Sequence, residues 1–119
     1  MASFRSMHSE ERRRGESARI RTKYPELVPI ICERGGDSTS VPDIDKKKYL
    51  VPQDLTVGQF AYVIRKRMKL DASKSMFLFV DGVLPNGSKL MSLMYDEHKD
   101  PDGFLYIKYA GENTFGACR

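Results

Sequence analysis

Residues 46–68 read KKKYLVPQDLTVGQFAYVIRKRM, and they set a strand directly before a helix. The strand is the run 46–51 (KKKYLV), closed by Pro52, which has no N–H to give to a ladder. The helix start is marked twice over. Thr56 and Gln59 stand at the spacing of a capping box, and Leu55 is placed to staple against Phe60. Val57, Phe60, Ala61, Ile64 and Met68 then recur at helical spacing as one apolar stripe, while Arg65, Lys66, Arg67 and Lys69 crowd the end where cations suit the helix dipole. This helix is expected to pack its stripe across the sheet.

Upstream, residues 28–33 (VPIICE) are rich in β-branched side chains and read as a strand that ends in the turn-forming segment Gly35, Gly36, Asp37 and Ser38. With 46–51 it makes a hairpin. The first 27 residues mix Arg5, Arg12, Arg13, Arg14, Arg19, Arg21 and Lys23 with Glu10, Glu11, Glu16 and Glu26, and read as a mostly solvated helix. Ser9 is its N-cap, and Tyr24 before Pro25 its stop, with Ala18, Ile20 and Tyr24 holding the later half on the domain. Downstream, 76–80 (MFLFV) is short enough for a central strand, and Asp81-Gly82 turns it back into Val83-Leu84. Residues 85–89 are loop, 91–97 a short helix, and 104–110 (FLYIKYA) a last strand before an aperiodic tail at 111–119. The pattern is α+β. It fits a β-grasp with its first and last strands parallel at the sheet centre, and by spacing alone it fits other α+β sandwiches as well.

The 119 residues suffice for one domain, and 40% hydrophobic against 30% charged residues is neither a disordered nor a membrane-spanning balance. No apolar run is long enough to cross a bilayer, and the first residues lack the apolar core of a secretory signal, so the expected compartment is the cytosol or nucleus. Cys32 and Cys118 are too few for a disulfide framework and lack metal-site spacing; Cys32, inside an apolar run, reads as a buried inert thiol. No metal or cofactor is expected. His8 and His98 lie near no recognisable nucleophile and no phosphate-binding glycine motif is present, which argues against an enzyme. A net charge of +4 permits attraction to nucleic acid, anionic lipid or acidic peptides, but the aromatics are not interleaved with the cations as a nucleic-acid platform requires. A binding module with a tail carrying a glycine accounts for more.

The stretches DKKKYLV (45–51), PQDLTVGQF (52–60) and IRKRM (64–68), with IRTKYP (20–25) ahead of Val28-Pro29, FLFV (77–80), FLYIKY (104–109) and Phe115-Gly116, closely resemble the autophagy ubiquitin-like modifiers, especially the GABA-receptor-associated-protein branch. The resemblance spans almost the whole chain. It implies a ubiquitin-like β-grasp core at 28–111, an extension of two N-terminal helices at 1–27, and a mobile tail at 112–119. It further implies a cytoplasmic monomer, cut after Gly116 by a cysteine protease that reads Phe115. Activating and conjugating enzymes would then pass the glycine to phosphatidylethanolamine on the autophagosome membrane. Glycine suits this chemistry because a tail without a side chain threads a narrow channel.

The family also binds aromatic-x-x-aliphatic motifs as an added strand. The resemblance puts Glu16, Ile20, Pro29, Ile31, Lys48, Leu50 and Phe104 in an aromatic pocket, and Tyr49, Val51, Pro52, Leu55, Phe60 and Val63 in an aliphatic one. Lys46, Lys48 and Arg67 would attract acidic flanks of the motif. Strand alternation agrees in that Tyr49 and Val51 share one face and Lys48 and Leu50 the other. Three departures bear on partner choice and maturation. Leu27 replaces a frequent basic residue, the segment 34–41 (RGGDSTSV) is less basic, and Ala117, Cys118 and Arg119 follow the glycine as in an unprocessed precursor.

Overall fold

The computed structural model describes residues 3–35 and 41–111. In chain order these form α1 (Phe4–Met7), α2 (Glu10–Lys23), β1 (Leu27–Arg34), β2 (Lys48–Pro52), α3 (Val57–Arg67), β3 (Phe77–Phe79), α4 (Met91–His98) and β4 (Leu105–Ala110). The sheet order is β2-β1-β4-β3. β1 and β4 run parallel at the centre, with Cys32 opposite Ile107, and β2 and β3 flank them antiparallel. This is a ubiquitin-like β-grasp carrying two N-terminal helices.

The capping box forms as its spacing dictates: the Gln59 N–H donates to Thr56 Oγ1 at 3.1 Å, and the Thr56 N–H to Gln59 Oε1 at 2.9 Å. Such a cap contributes about 1 kcal/mol. From this start α3 buries Val57, Phe60 and Ile64 against the sheet, with Ala61 and Met68 partly covered. Each fully buried side chain of that size stabilises by roughly 1.5–3 kcal/mol. The main core joins them to Ile30, Cys32, Leu105, Ile107 and Tyr109 of the central strands and to Met91 and Met94 of α4. Cys32 is fully buried, and burial first, then the Glu33 charge, pushes its thiol far up, so it is inert as expected. β1 is buried on both faces, which explains why its sequence is continuously apolar rather than alternating. On the opposite face a second cluster joins Ile31 and Phe104 to Phe4, with Ile20 and Tyr106 partly buried beside it.

Three local expectations need correction. The run at 76–80 does not give a central strand: β3 lies at the sheet edge, paired only with β4, because β1 and β4 take the parallel centre. Val83-Leu84 does not extend the sheet; only an isolated bridge forms, with Val80 and Val83 exchanging N–H···O bonds of 2.9 and 3.0 Å. The turn is present, with Asp81 and Gly82 at positive φ, but Pro85 follows at once and cannot donate to a ladder. Nor do Ala18 and Tyr24 hold α2 down, since both are exposed. Ser17 and Ile20 face the domain instead, and Ser17 Oγ donates to the Asp102 carbonyl at 2.5 Å. That approach requires Gly103, which sits at φ +92°, where a Cβ would lie 2.2 Å from Ser17 Oγ. The expected turn residues 36–38 lie outside the described residues.

Candidate peptide-docking site

β2 is an edge strand, and its register decides which backbone groups remain open. The Cys32 N–H donates to the Lys47 carbonyl at 2.8 Å, and the Gln53 N–H to the Glu26 carbonyl at 3.0 Å. Both partners on this chain segment are odd-numbered, and antiparallel pairing alternates, so Tyr49 and Val51 turn their backbone groups inward to Ile30 and Val28. Lys48 and Leu50 therefore present N–H and C=O outward along the open edge. Among the described residues no other strand pairs there.

The side chains of Lys48 and Leu50 lie on the α2 side of the sheet, directly across from Ile31 and Pro29. Ile31 and Phe104 are fully buried and form a floor, with Ile20 of α2 packed against them. Leu50 keeps 40% of its surface open. Glu16 of α2 forms an ion pair with Lys48, which links helix to strand at the rim. All seven residues assigned by resemblance to the aromatic pocket are thus drawn to one place.

On the other side, Tyr49 meets Phe60 edge-on with ring centroids 5.7 Å apart. Tyr49, Val51 and Phe60 are core residues, so they can act only as a floor. Leu55 is half-buried, Pro52 is exposed and Val63 is 41% exposed. Lys46 Nζ stands 5.1 Å from the centre of the Tyr49 ring, and Arg67 Nε is 3.4 Å from Asp45. Burial above all pushes the Tyr49 hydroxyl up to about 12, and among the described residues this buried hydroxyl has no hydrogen-bond partner.

Sequence reasoning missed the residue that ties the N-terminal helices to this region. Asp102, fully buried in its side chain, accepts from Arg13 Nη1 at 2.6 Å, from the Tyr106 hydroxyl at 2.5 Å and from the Phe104 N–H at 2.9 Å. Burial pushes its carboxyl up, but the Tyr106, Phe104 and Arg13 hydrogen bonds together outweigh that and hold it below the ordinary value. Arg13 is accordingly no solvated residue, though its neighbours Arg12 and Arg14 are exposed. α1 is pinned by the Phe4 N–H donating to the buried Glu33 carboxylate at 2.7 Å, and by the Phe4 ring packing edge-on against Phe104 at 5.4 Å. The signal available in the sequence was the tight DPDG turn before the last strand, where a carboxylate is positioned by its own backbone.

Phe115 and Gly116 lie outside the described residues. Among the described residues, no group of side chains could hold a metal ion and no helix is long and apolar enough to cross a membrane.

A family model for autophagy protein Atg8, ubiquitin-like, matches residues 12–116. Autophagy-related protein 8 of Mycosarcoma maydis is 62% identical over 115 residues, covering 97% of each chain. Autophagy-related protein 8b of Arabidopsis thaliana is 62% identical over 114 residues, covering 96% of this chain and 93% of that one. The crystal structure of Trypanosoma brucei ATG8 superposes with a TM-score of 0.87 at 39% identity, covering 94% and 96% of the two chains. Sequence and fold converge: this chain belongs to the Atg8 family of autophagy ubiquitin-like modifiers.

Proposed function

We propose that the chain is cut after Gly116, conjugated through that glycine to phosphatidylethanolamine on autophagosomal membranes, and read there by proteins carrying aromatic-x-x-aliphatic motifs. In this reading 28–111 is the working core, 1–27 a helical extension that builds one wall of the aromatic pocket, and 112–119 the tail that a cysteine protease trims beside Phe115. Activating and conjugating enzymes of the autophagy pathway handle the exposed glycine, and the chain itself performs no catalysis.

The observation that carries the docking half is the open edge of β2, where outward backbone groups of Lys48 and Leu50 lie between two apolar sets of side chains. An extended peptide adds there as a strand, its alternate side chains reaching the Leu50 side and the Val63 side. Burial at both anchors stabilises by about 25 cal/mol per Å² before ordering costs are deducted, so micromolar affinity is expected. Many copies on one membrane raise the effective strength. Mass analysis of the protein from cells tests the conjugation half: the expected species end at Gly116, free or lipid-linked, and Gly116→Ala abolishes both. Recovery of the 119-residue form alone refutes it.

A further inference from the structure

The end of the sheet from which the tail departs also carries a cationic recess. β4 ends at Ala110, opposite Phe77 at the start of β3. The Gly35 N–H donates to the Tyr109 carbonyl at 2.7 Å, and Arg67 at the C-terminus of α3 pairs with Asp45 just ahead of β2. The end of α3, the start of β2 and the exit of β4 therefore share one pole of the domain. There Tyr62, Arg65, Lys66, Lys69, Leu70 and Ala72 line an open recess of about 380 Å³. Among the described residues neither Lys66 nor Lys69 has a carboxylate within ion-pair distance; Lys66 lies 5.5 Å from the centre of the Tyr62 ring, itself 60% exposed. Lys69 occupies the left-handed region at φ 54°, directly after the C-cap Met68, where glycine is the stable choice. Arg65 is held in place by its Nη2 donating to the Asp71 carbonyl at 3.1 Å. The same pole carries Asp43, Asp45 and Asp71, of which Asp45 is occupied by Arg67 and Asp71 accepts the Ser73 N–H.

We infer that this recess is a contact surface for anionic phospholipid headgroups, and that it orients the domain on the membrane to which its tail is joined. The inference rests on conjugation at Gly116, because five peptide units beyond Gly111 reach at most about 17 Å and keep this pole facing the bilayer. Charge complementarity selects the occupant: each Lys or Arg held within a Debye length of an anionic leaflet contributes about fivefold to partitioning. Tyr62 and Leu70 supply an amphipathic ring and an aliphatic group for the interface between headgroup and acyl chain.

The test couples the full chain through Cys118 to vesicles bearing a maleimide lipid. Tethering is thus chemical and independent of whether cells use Gly116. Lysine acylation is read by mass spectrometry on vesicles of phosphatidylcholine alone and with about a third phosphatidylserine. On the anionic vesicles at low salt, Lys66 and Lys69 should be acylated at least about fivefold more slowly while Lys23 of α2 is unchanged, and high salt should abolish the difference. Untethered, Lys66→Gln with Lys69→Gln should lower flotation with anionic vesicles roughly tenfold or more, whereas Arg12→Gln with Arg19→Gln, which removes equal charge from α2, should change it far less. Equal protection of Lys23, protection on neutral vesicles, equal effects of the two double variants, or protection of Lys66 and Lys69 by a single-stranded oligonucleotide but not by vesicles would each overturn the inference.

Discussion

Replacing Asp102 with Ala removes three hydrogen bonds to a buried carboxylate, and the partners it strands determine the cost. Arg13, with 13% of its side chain exposed, loses its carboxylate partner and retains the His8 carbonyl at 3.1 Å. The Tyr106 hydroxyl and the Phe104 N–H lose their acceptors. Hydrogen bonds to charged groups are each worth about 1.5–3 kcal/mol, and breaking one side of a buried pair costs about 3–5 kcal/mol in all. Part of that is recovered if α2 lifts and Arg13 reaches water, so the expected loss is about 3 kcal/mol. Urea unfolding followed by circular dichroism measures it. Because the Phe104 N–H is fixed by Asp102 and its ring floors the aromatic pocket, peptide affinity should fall with stability rather than independently of it. The acid limb supplies a second reading. Asp102 sits below its ordinary value of 3.8 in the fold, so its stabilisation is complete above that pH and is lost as pH falls through the lower folded value. The difference in stability between the native chain and Asp102→Asn should therefore be constant above about pH 4 and shrink below it. A loss under about 1 kcal/mol for Asp102→Ala, or a difference that grows on acidification, refutes the reasoning.

Other substitutions separate fold from docking. Leu50→Ala should weaken an aromatic-x-x-aliphatic peptide about five- to tenfold by calorimetry and cost about 1 kcal/mol of stability, whereas Val51→Ala, one residue on and core-facing, should cost about 2 kcal/mol of stability. Lys48→Ala breaks the rim pair with Glu16 and should change stability by less than about 1 kcal/mol, while flattening the salt dependence of peptide association in stopped-flow measurements. Gly103→Ala forces a side chain into positive φ and against Ser17 Oγ; a loss of about 2–4 kcal/mol in denaturant unfolding is expected, greater than for Gly87→Ala, where open space surrounds the added Cβ.

The parts of the fold that were legible in the sequence are those carried by short-range rules. The capping box at Thr56 and Gln59, the apolar stripe of α3 and the continuous run of β1 each report their partner surface directly. The attachment of the N-terminal helices was not legible, because it depends on Asp102, Ser17 and Gly103 meeting across 85 or more residues, and no periodicity encodes such a polar contact. Arg13 could not be told from Arg12 and Arg14 by composition for the same reason. At the candidate site, strand alternation separated Lys48 and Leu50 from Tyr49 and Val51. Alternation could not say that Tyr49 would be buried to the point of an unpartnered hydroxyl, since that follows from how α3 crosses the sheet.

Amide hydrogen exchange along β2, with and without a saturating aromatic-x-x-aliphatic peptide, tests the docking surface most directly. Tyr49 and Val51 already donate to β1, so their amides should exchange slowly in both states, while the Lys48 and Leu50 amides should be fast in the free protein and at least about tenfold slower once the peptide strand is in place. Slow exchange at Lys48 and Leu50 without peptide, or peptide binding that leaves both amides fast, would contradict the placement of the docking edge on β2.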